Sequence, residues 1–203
     1  MAATSVKSLT EEQRELARAR IERAAAAVLR EKGLAATVEE VAAAAGVSIR
    51  TVFRHYGTRD HMIVTALRGE LRHYRDTLPR PAPDAELAPW LHDLLVEIHH
   101  LNAQLGRAYW ELAALGDSLE GEFAELAAVR RSARTKLVNA VTTSAWRLAG
   151  QSGRPPTWLI DVFAIHLSSF ATRALVADFG RSPDDVAEAS TRALLAAIKE
   201  AGS

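Results

Sequence analysis

Hydrophobic residues recur every three or four positions along most of the chain, which is the spacing of amphipathic α-helices. Sustained alternation of Val, Ile and Thr, the pattern of a half-buried strand, is missing from the sequence. The first helical segment opens at a capping box at Thr10 and ends near Gly33. Its apolar residues form one stripe: Ala17, Ile21, Ala24, Ala25 and Val28. The pattern predicts an all-α protein that begins with an amphipathic helix.

Two shorter helical segments follow within TVEEVAAAAGVSIRTVFRHY, residues 37–56. Thr37 opens a second capping box, and Gly46 ends the helix that begins there. Ser48 is a suitable N-cap for the next helix, which ends before Gly57. Two short helices on either side of a tight Gly-Val-Ser turn are typical of the helix-turn-helix motif.

The second of these short helices has two different faces when its residues are placed at 100° intervals. The apolar side carries Ile49, Val52, Phe53 and Tyr56. The other side carries Arg50, Thr51, Arg54 and His55. Arginine can make a bidentate contact to guanine, and threonine and histidine have groups that contact phosphates or bases. We therefore expect the polar side to face a major groove, with Arg50 and Arg54 reading bases.

A proline-rich stretch divides the chain after a fourth helix, which Thr58 is placed to cap. That helix cannot continue past Pro79, because four prolines lie between residues 79 and 89. We predict a helix-turn-helix DNA-binding domain over residues 1–78, in which 57–78 is a connecting helix, and a C-terminal helical ligand-sensing and dimerisation domain over residues 79–203. Its helices are predicted at residues 89–106, 108–115, 119–149, 156–179 and 183–201, with a loop at 150–155.

Composition narrows the class of protein further. The chain of 203 residues is 48% hydrophobic, which is enough to form a buried core. It has no cysteine, so disulfides and thiolate chemistry are excluded, and we expect no cofactor. No stretch has the pattern of a signal peptide or a membrane span, which favours a soluble, cytoplasmic protein. The net charge is zero, but ten basic and seven acidic residues between Lys7 and Arg59 leave the first part locally positive.

Residues 21–62, IERAAAAVLREKGLAATVEEVAAAAGVSIRTVFRHYGTRDHM, resemble the N-terminal signature of the TetR family of transcriptional regulators. The resemblance implies that Thr37 lies near a phosphate, that residues 48–56 form the recognition helix and that Arg59 holds a phosphate. Lysine is more common in the family at Arg59, glycine at Arg50, and a backbone-contacting tyrosine at Phe53. The predicted DNA-contacting residues are Thr37, Ser48, Arg50, Thr51, Phe53, Arg54, His55, Tyr56 and Arg59.

The second half of the chain is expected to sense a ligand and to dimerise, as the family resemblance implies. The predicted helix over 157–179 has two apolar faces, and the helix over 183–201 has only a narrow polar stripe. Pairing these helices with those of a second copy would form a four-helix interface, whereas a thick monomer core is the alternative. His166 is either a core histidine or a ligand anchor. Residues able to line a pocket for a small apolar or amphipathic effector are Trp90, His99, Asn102, Tyr109, Trp110, Phe123, Trp146, Phe163, His166 and Phe170.

Three functions are compatible with these patterns. We favour a ligand-responsive repressor, not an enzyme, that binds a pseudo-palindromic operator as a homodimer. A helical di-iron oxidoreductase is the second, because Glu70 with His73 and Glu97 with His100 have the Glu-x-x-His spacing of such sites. That site also needs inward carboxylates from two further helices, which the sequence places only loosely. A helical adaptor that does not bind DNA is the third.

Overall fold

A computed structural model describes residues 9–203, and within that range the regular structure is entirely helical. The helices are α1 Leu9–Lys32, α2 Val38–Ala45, α3 Ile49–Tyr56, α4 Arg59–Thr77, α5 Leu87–Ala103, α6 Arg107–Leu115, α7 Gly121–Leu148, α8 Thr157–His166, α9 Ser169–Phe179 and α10 Pro183–Ala201. Short 3₁₀ turns lie at Gly33–Ala35 and Gly116–Ser118. The predicted all-α class is confirmed. The side chain of Thr10, and with it the predicted first capping box, lies outside the described residues.

The chain forms two compact units, which are described separately below. Among the described residues, the N-terminal unit comprises 9–72 together with Gly106–Ala128, and the C-terminal unit comprises His73–Leu105 and Val129–Ser203. The predicted domain boundary lay after residue 78. The observed boundary falls within α4, and α6 belongs to the N-terminal unit. The prolines at 79–89 indicate where a helix ends. They do not indicate a domain boundary, because the division into compact units depends on which distant segments pack together.

The close approach of α6 to α1 depends on a glycine. A Cβ atom at Gly106 would lie 2.4 Å from the Cα of Arg30, so no larger residue fits without moving the backbone. The side chains at the centre of the N-terminal unit come from α1, α2 and α4, where apolar residues recur at the helical spacing of three or four positions. They include Ile21, Ala24, Ala25, Leu29, Val38, Val41, Ala42, Ala45, Met62, Ile63, Ala66 and Leu67. Periodicity in the sequence therefore identified most of this core.

The C-terminal unit is built around α5, which packs against α9 and α10. One face of α5 is fully buried and supplies Leu91, Leu94, Leu95 and Ile98 to the core. Leu159 and Phe163 of α8 and Leu194 and Ile198 of α10 complete this apolar centre. The last helix begins with a capping box formed by Ser182 and Asp185 and spans the predicted residues 183–201.

The predicted single helix over 157–179 is wrong. The chain leaves the helix at Leu167 and Ser168, and α8 and α9 are bent by 46° at this break. Ser168 adopts an extended conformation (φ −81°, ψ 127°), and serine side chains compete with helical hydrogen bonding, which favours a break at a Ser-Ser pair. As a result Phe170 leaves the face shared by Leu159 and Phe163, and 46% of its surface is exposed.

No single helix among residues 9–203 is long and apolar enough to cross a membrane. The α8 and α9 pair reaches that length and composition only when both helices are counted across their 46° bend.

Candidate functional site

The turn between α2 and α3 has the predicted geometry. The Thr37 hydroxyl accepts from the Glu40 N–H at 3.2 Å, and the Glu40 carboxylate accepts from the Thr37 N–H at 3.0 Å. Gly46 adopts the left-handed conformation that ends α2 (φ 62°, ψ 41°), which disfavours any residue with a Cβ atom. Arg20 of α1 donates to the Ala45 carbonyl at 2.8 Å and so caps the same helix end from outside. The capping boxes and stop signals in the sequence are therefore confirmed for this motif.

Helix α3 is held by a narrower apolar contact than predicted. Ser48 caps its first turn, accepting from the Thr51 N–H at 3.2 Å. Val52 and Tyr56 are buried, as predicted, but Ile49 and Phe53 are 41% and 43% exposed. The assignment of Ile49 and Phe53 to the buried side was wrong: an eight-residue helix has about two turns, and here its buried apolar residues are one pair at i and i+4. The exposed surface of α3 consequently combines apolar and basic side chains.

The two arginines predicted to read bases both lie on this exposed surface. Arg50 and Arg54 are exposed and make no hydrogen bond to other described residues. The neighbouring Thr51 hydroxyl lies 2.9 Å from the Ser48 hydroxyl, so part of its bonding capacity is used within the helix. Free guanidinium groups beside exposed aliphatic and aromatic side chains suit guanine edges and thymine methyl groups.

His55 and Tyr56 face α1 more than the predicted DNA surface. Burial lowers the pKa of His55 below its ordinary 6.5, with help from the charges of Arg54, Arg14 and Arg18. Its Nε2 is buried without a partner among the described residues. The Tyr56 hydroxyl donates to Glu22 at 3.4 Å, and burial, followed by the Glu22 charge, raises the pKa of Tyr56 to about 12. The structure thus gives Tyr56 a structural contact.

Arg59, predicted to hold a phosphate, is engaged by the protein itself. Its guanidinium donates to the Ala36 carbonyl at 2.7 Å, donates to the Leu34 carbonyl and pairs with Asp60 at 3.0 Å. These carbonyls lie at the end of the 3₁₀ turn that joins α1 to α2. A phosphate would therefore have to share this guanidinium with the backbone.

A carboxylate from a distant segment secures the same turn. Glu111 of α6 accepts from the Leu34 N–H at 2.6 Å and from Arg107 at 2.7 Å. Burial raises the pKa of Glu111, but these hydrogen bonds outweigh it, so the pKa lies below its ordinary value. Sequence reasoning missed Glu111 in this role, because nothing in the local pattern indicates a contact with Leu34 across 77 positions.

The residues proposed to line an effector pocket do not share one unit. Tyr109, Trp110 and Phe123 belong to the N-terminal unit, and the rings of Tyr109 and Trp110 meet edge to face at 5.2 Å. The C-terminal unit contains Trp90, His99, Asn102, Trp146, Phe163, His166 and Phe170. Of these, Trp90 and Trp146 donate their indole N–H to backbone carbonyls, as core tryptophans commonly do.

Within the C-terminal unit four side chains form what we call the polar cluster: Tyr74, His99, Asn102 and Thr172. The Thr172 hydroxyl lies 2.8 Å from His99 Nδ1 and accepts from Asn102 at 3.0 Å. The Tyr74 hydroxyl donates to Asn102 at 3.1 Å. Burial, followed by the charges of His166 and His100, lowers the pKa of His99 to about 4. The prediction named two members of the cluster and missed Tyr74 and Thr172, because these residues meet Asn102 across 28 and 70 positions, which no local pattern indicates.

The structure offers no support for a di-iron site. Glu70 pairs with Arg30 at 3.1 Å in the N-terminal unit, and His100 lies 2.9 Å from Asp184 in the C-terminal unit. Across residues 9–203, no three His, Asp or Glu side chains are grouped so that they could hold a metal ion. Glu70 and His100, one member of each Glu-x-x-His pair, are therefore engaged in separate surface contacts.

The sequence and the fold are similar to those of known proteins. Residues 21–66 match the sequence model of the family described as "Bacterial regulatory proteins, tetR family". A transcriptional regulator from Rhodococcus sp. Rha1 superposes with a TM-score of 0.61 over 87% of this chain and 92% of its own, at 22% identity. A protein described as a transcriptional regulator from Pseudomonas aeruginosa PAO1 gives a TM-score of 0.66 over 96% and 93%, at 18% identity. None of the curated proteins matches this sequence significantly.

Motif and fold together define an all-helical protein with a helix-turn-helix of the TetR type at its N-terminus. More specifically, residues 21–66 match the TetR-family model, and the chain as a whole shares its fold with the two transcriptional regulators named above. The resemblance predicted from residues 21–62 is confirmed.

Proposed function

We propose that the protein binds a specific operator through α3 and thereby represses transcription. The observation that carries this proposal is the pair of exposed arginines, Arg50 and Arg54, on a helix whose opposite side is anchored by Val52 and Tyr56. One guanidinium contacting guanine O6 and N7 contributes about 1 to 3 kcal/mol of discrimination. Ser48, Thr51 and Phe53 belong to α3 or its cap, and together with Thr37 at the start of α2 they are proposed to contact the phosphates or thymine methyls.

Selection of bound fragments from random duplex DNA tests operator binding directly. We expect two related half-sites and an affinity that falls steeply with salt, because phosphate contacts release counterions. Arg50→Ala should relax the preference at one base pair by about tenfold or more. Arg192→Ala, at an exposed position of α10, is the matched control and should leave selection unchanged. A protein that binds no duplex at low salt would exclude this function and favour the adaptor.

The same proposal includes a homodimer formed through α8, α9 and α10. Large apolar side chains are exposed on the first two helices, notably Trp158 (42%), Ile165 (62%) and Phe179 (69%). Exposed apolar residues grouped on consecutive helices are typical of a protein interface. A twofold dimer would present two copies of α3 to a pseudo-palindromic operator.

A charge placed in this surface tests the dimer. Ile165→Asp should convert the protein to a monomer in sedimentation experiments and should reduce operator affinity. Leu16→Asp is the matched control, since Leu16 is equally exposed (66%) but lies on α1. Equal masses for Ile165→Asp and the unmodified protein would disprove this interface.

We further propose that an effector bound in the C-terminal unit controls operator affinity through α4. This helix begins at Arg59, which contacts the 3₁₀ turn before α2, and Tyr74 near its other end donates to Asn102. A ligand that displaces Asn102 would therefore act on the helix that carries Arg59. A ligand changes operator affinity only if it binds the operator-bound and the operator-free conformation with different affinities. Release of operator DNA on addition of the ligand therefore measures this coupling.

A further inference from the structure

The hydrogen bonds around Thr172 determine which nitrogen of His99 carries the proton. The hydroxyl of Thr172 has one proton and can accept two hydrogen bonds. It lies 3.2 Å from the Ser168 carbonyl, which can only accept, so the single hydroxyl proton points there. The amide nitrogen of Asn102 donates to the same oxygen. With the hydroxyl proton on the Ser168 carbonyl, His99 Nδ1 at 2.8 Å donates to Thr172, and we infer that Nδ1 is the protonated nitrogen.

This assignment leaves the other ring nitrogen as an acceptor. In a neutral imidazole with a proton on Nδ1, Nε2 carries a free lone pair. The side chain of His99 is 0% exposed, and Nε2 has no hydrogen-bond partner among the described residues. Burial also holds the pKa of His99 at about 4, so the ring stays neutral near pH 7. A buried, unused acceptor of this kind is rare in native proteins and calls for a donor.

We propose that the effector is a neutral, largely apolar molecule that donates an O–H or N–H group to Nε2 of His99; this inference rests on the proposed effector function. The surroundings favour an uncharged ligand, because the same face of α5 carries the fully buried Leu95 and Ile98. A hydroxyl, phenol or secondary amide N–H supplies the required donor. An ether or a ring without a donor leaves the lone pair unmatched. Thr172 and Asn102 act as positioning residues that hold the imidazole in this tautomer.

Nitrogen-15 NMR of the histidine rings tests the assignment without knowledge of the natural effector. The chain has seven histidines, and the signal of His99 is identified by its loss in His99→Asn. We expect the shift of an unprotonated Nε2 and a protonated Nδ1 at pH 7. Phenol and indole should move the Nε2 signal upfield, whereas fluorobenzene and benzofuran, which have similar shapes but no donor, should leave it in place.

Two asparagine variants of α5 test the preference for donors. In His99→Asn, the amide N–H can replace Nδ1 toward Thr172, but no acceptor replaces Nε2. We expect unmodified protein to bind phenol about 3- to 10-fold more tightly than fluorobenzene, and His99→Asn to lose this preference. His92→Asn, at an exposed position of the same helix, should keep it.

The outcomes separate this inference from the proposed function. A proton on Nε2, equal binding of probes with and without a donor, a water that stays on Nε2 in the saturated complex, or binding of none of the four probes would overturn the inference. None of these results would affect operator binding by α3. Conversely, a protein that binds phenol at Nε2 but ignores every duplex would disprove the proposed function while leaving the Nε2 measurement intact.

Discussion

Polar groups are used differently in the two units. In the N-terminal unit they sit at the ends of helices, where Thr37, Ser48, Arg20 and Arg59 satisfy backbone groups that a helix cannot satisfy itself. In the C-terminal unit the polar cluster lies inside the helical core, and its members satisfy one another except at Nε2 of His99. Capped ends stabilise a rigid reading surface, whereas an unmatched buried acceptor leaves free energy for a ligand to recover. In the proposed function, binding specificity for DNA and for the effector therefore arises from opposite treatments of polar groups.

The largest expected effect on the free energy of unfolding comes from lowering the pH. Since the pKa of His99 falls from 6.5 in the unfolded chain to about 4 in the folded one, the unfolded chain binds the extra proton between these values. The contribution of His99 to stability is therefore complete above pH 6.5 and is lost as the pH falls toward 4, by about 3 kcal/mol. Urea unfolding at pH 7 and 4.5 measures this loss.

His99→Asn provides the control, because His55 and His166 also have lowered pKa values and contribute in the same direction. The variant should lose less stability between pH 7 and 4.5 than the unmodified protein. An identical pH dependence in both would show that burial does not hold His99 neutral in the folded protein.

Loss of the Arg59 side chain should give the next largest effect. Arg59→Ala removes donors from the Leu34 and Ala36 carbonyls, and hydrogen bonds to charged groups contribute about 1.5 to 3 kcal/mol. We expect the free energy of unfolding to fall by that amount. Arg54→Ala, on the exposed surface of α3, should leave stability unchanged and reduce operator affinity. If both variants lose the same stability and the same operator affinity, the distinction between Arg59, which caps backbone carbonyls, and Arg54, which contacts bases, is wrong.

Two buried threonines of the C-terminal unit differ in the number of hydrogen bonds that their hydroxyls make. Thr172→Val should cost about 1 to 3 kcal/mol, because it leaves the donors of His99 and Asn102 without an acceptor. Thr142→Val should cost less than about 1 kcal/mol, since Thr142 is equally buried but bonds only the Val138 carbonyl. Thermal unfolding of the two variants gives the difference. Equal losses would mean that the polar cluster contributes no more than an isolated hydroxyl.

The smallest expected effect on stability comes from removing the capping box of either unit. Thr37→Ala and Ser182→Ala should each reduce stability by about 1 kcal/mol, because each removes the acceptor for one free N–H. Only Thr37→Ala should also weaken operator binding, measured by fluorescence anisotropy with a labelled duplex. Unchanged binding by Thr37→Ala would remove Thr37 from the proposed DNA contacts.

The sequence by itself determined the helix-turn-helix. The capping box at Thr37, the glycine that ends α2 and the serine that begins α3 all depend on residues within about four positions of each other, so a local pattern is sufficient to predict them. The boundaries of α2, α3 and α10 matched their predicted residues for the same reason.

Tertiary structure alone decided how distant segments meet. The break between α8 and α9 brings Thr172 to His99 across 73 positions, and Glu111 reaches Leu34 across 77. Arg59 turned to backbone carbonyls, and Ile49 and Phe53 became exposed, according to which neighbours packed beside them. Such pairings depend on complementary shape and hydrogen-bonding partners that periodicity does not encode, because a hydrophobic stripe specifies that a face is buried but not what covers it.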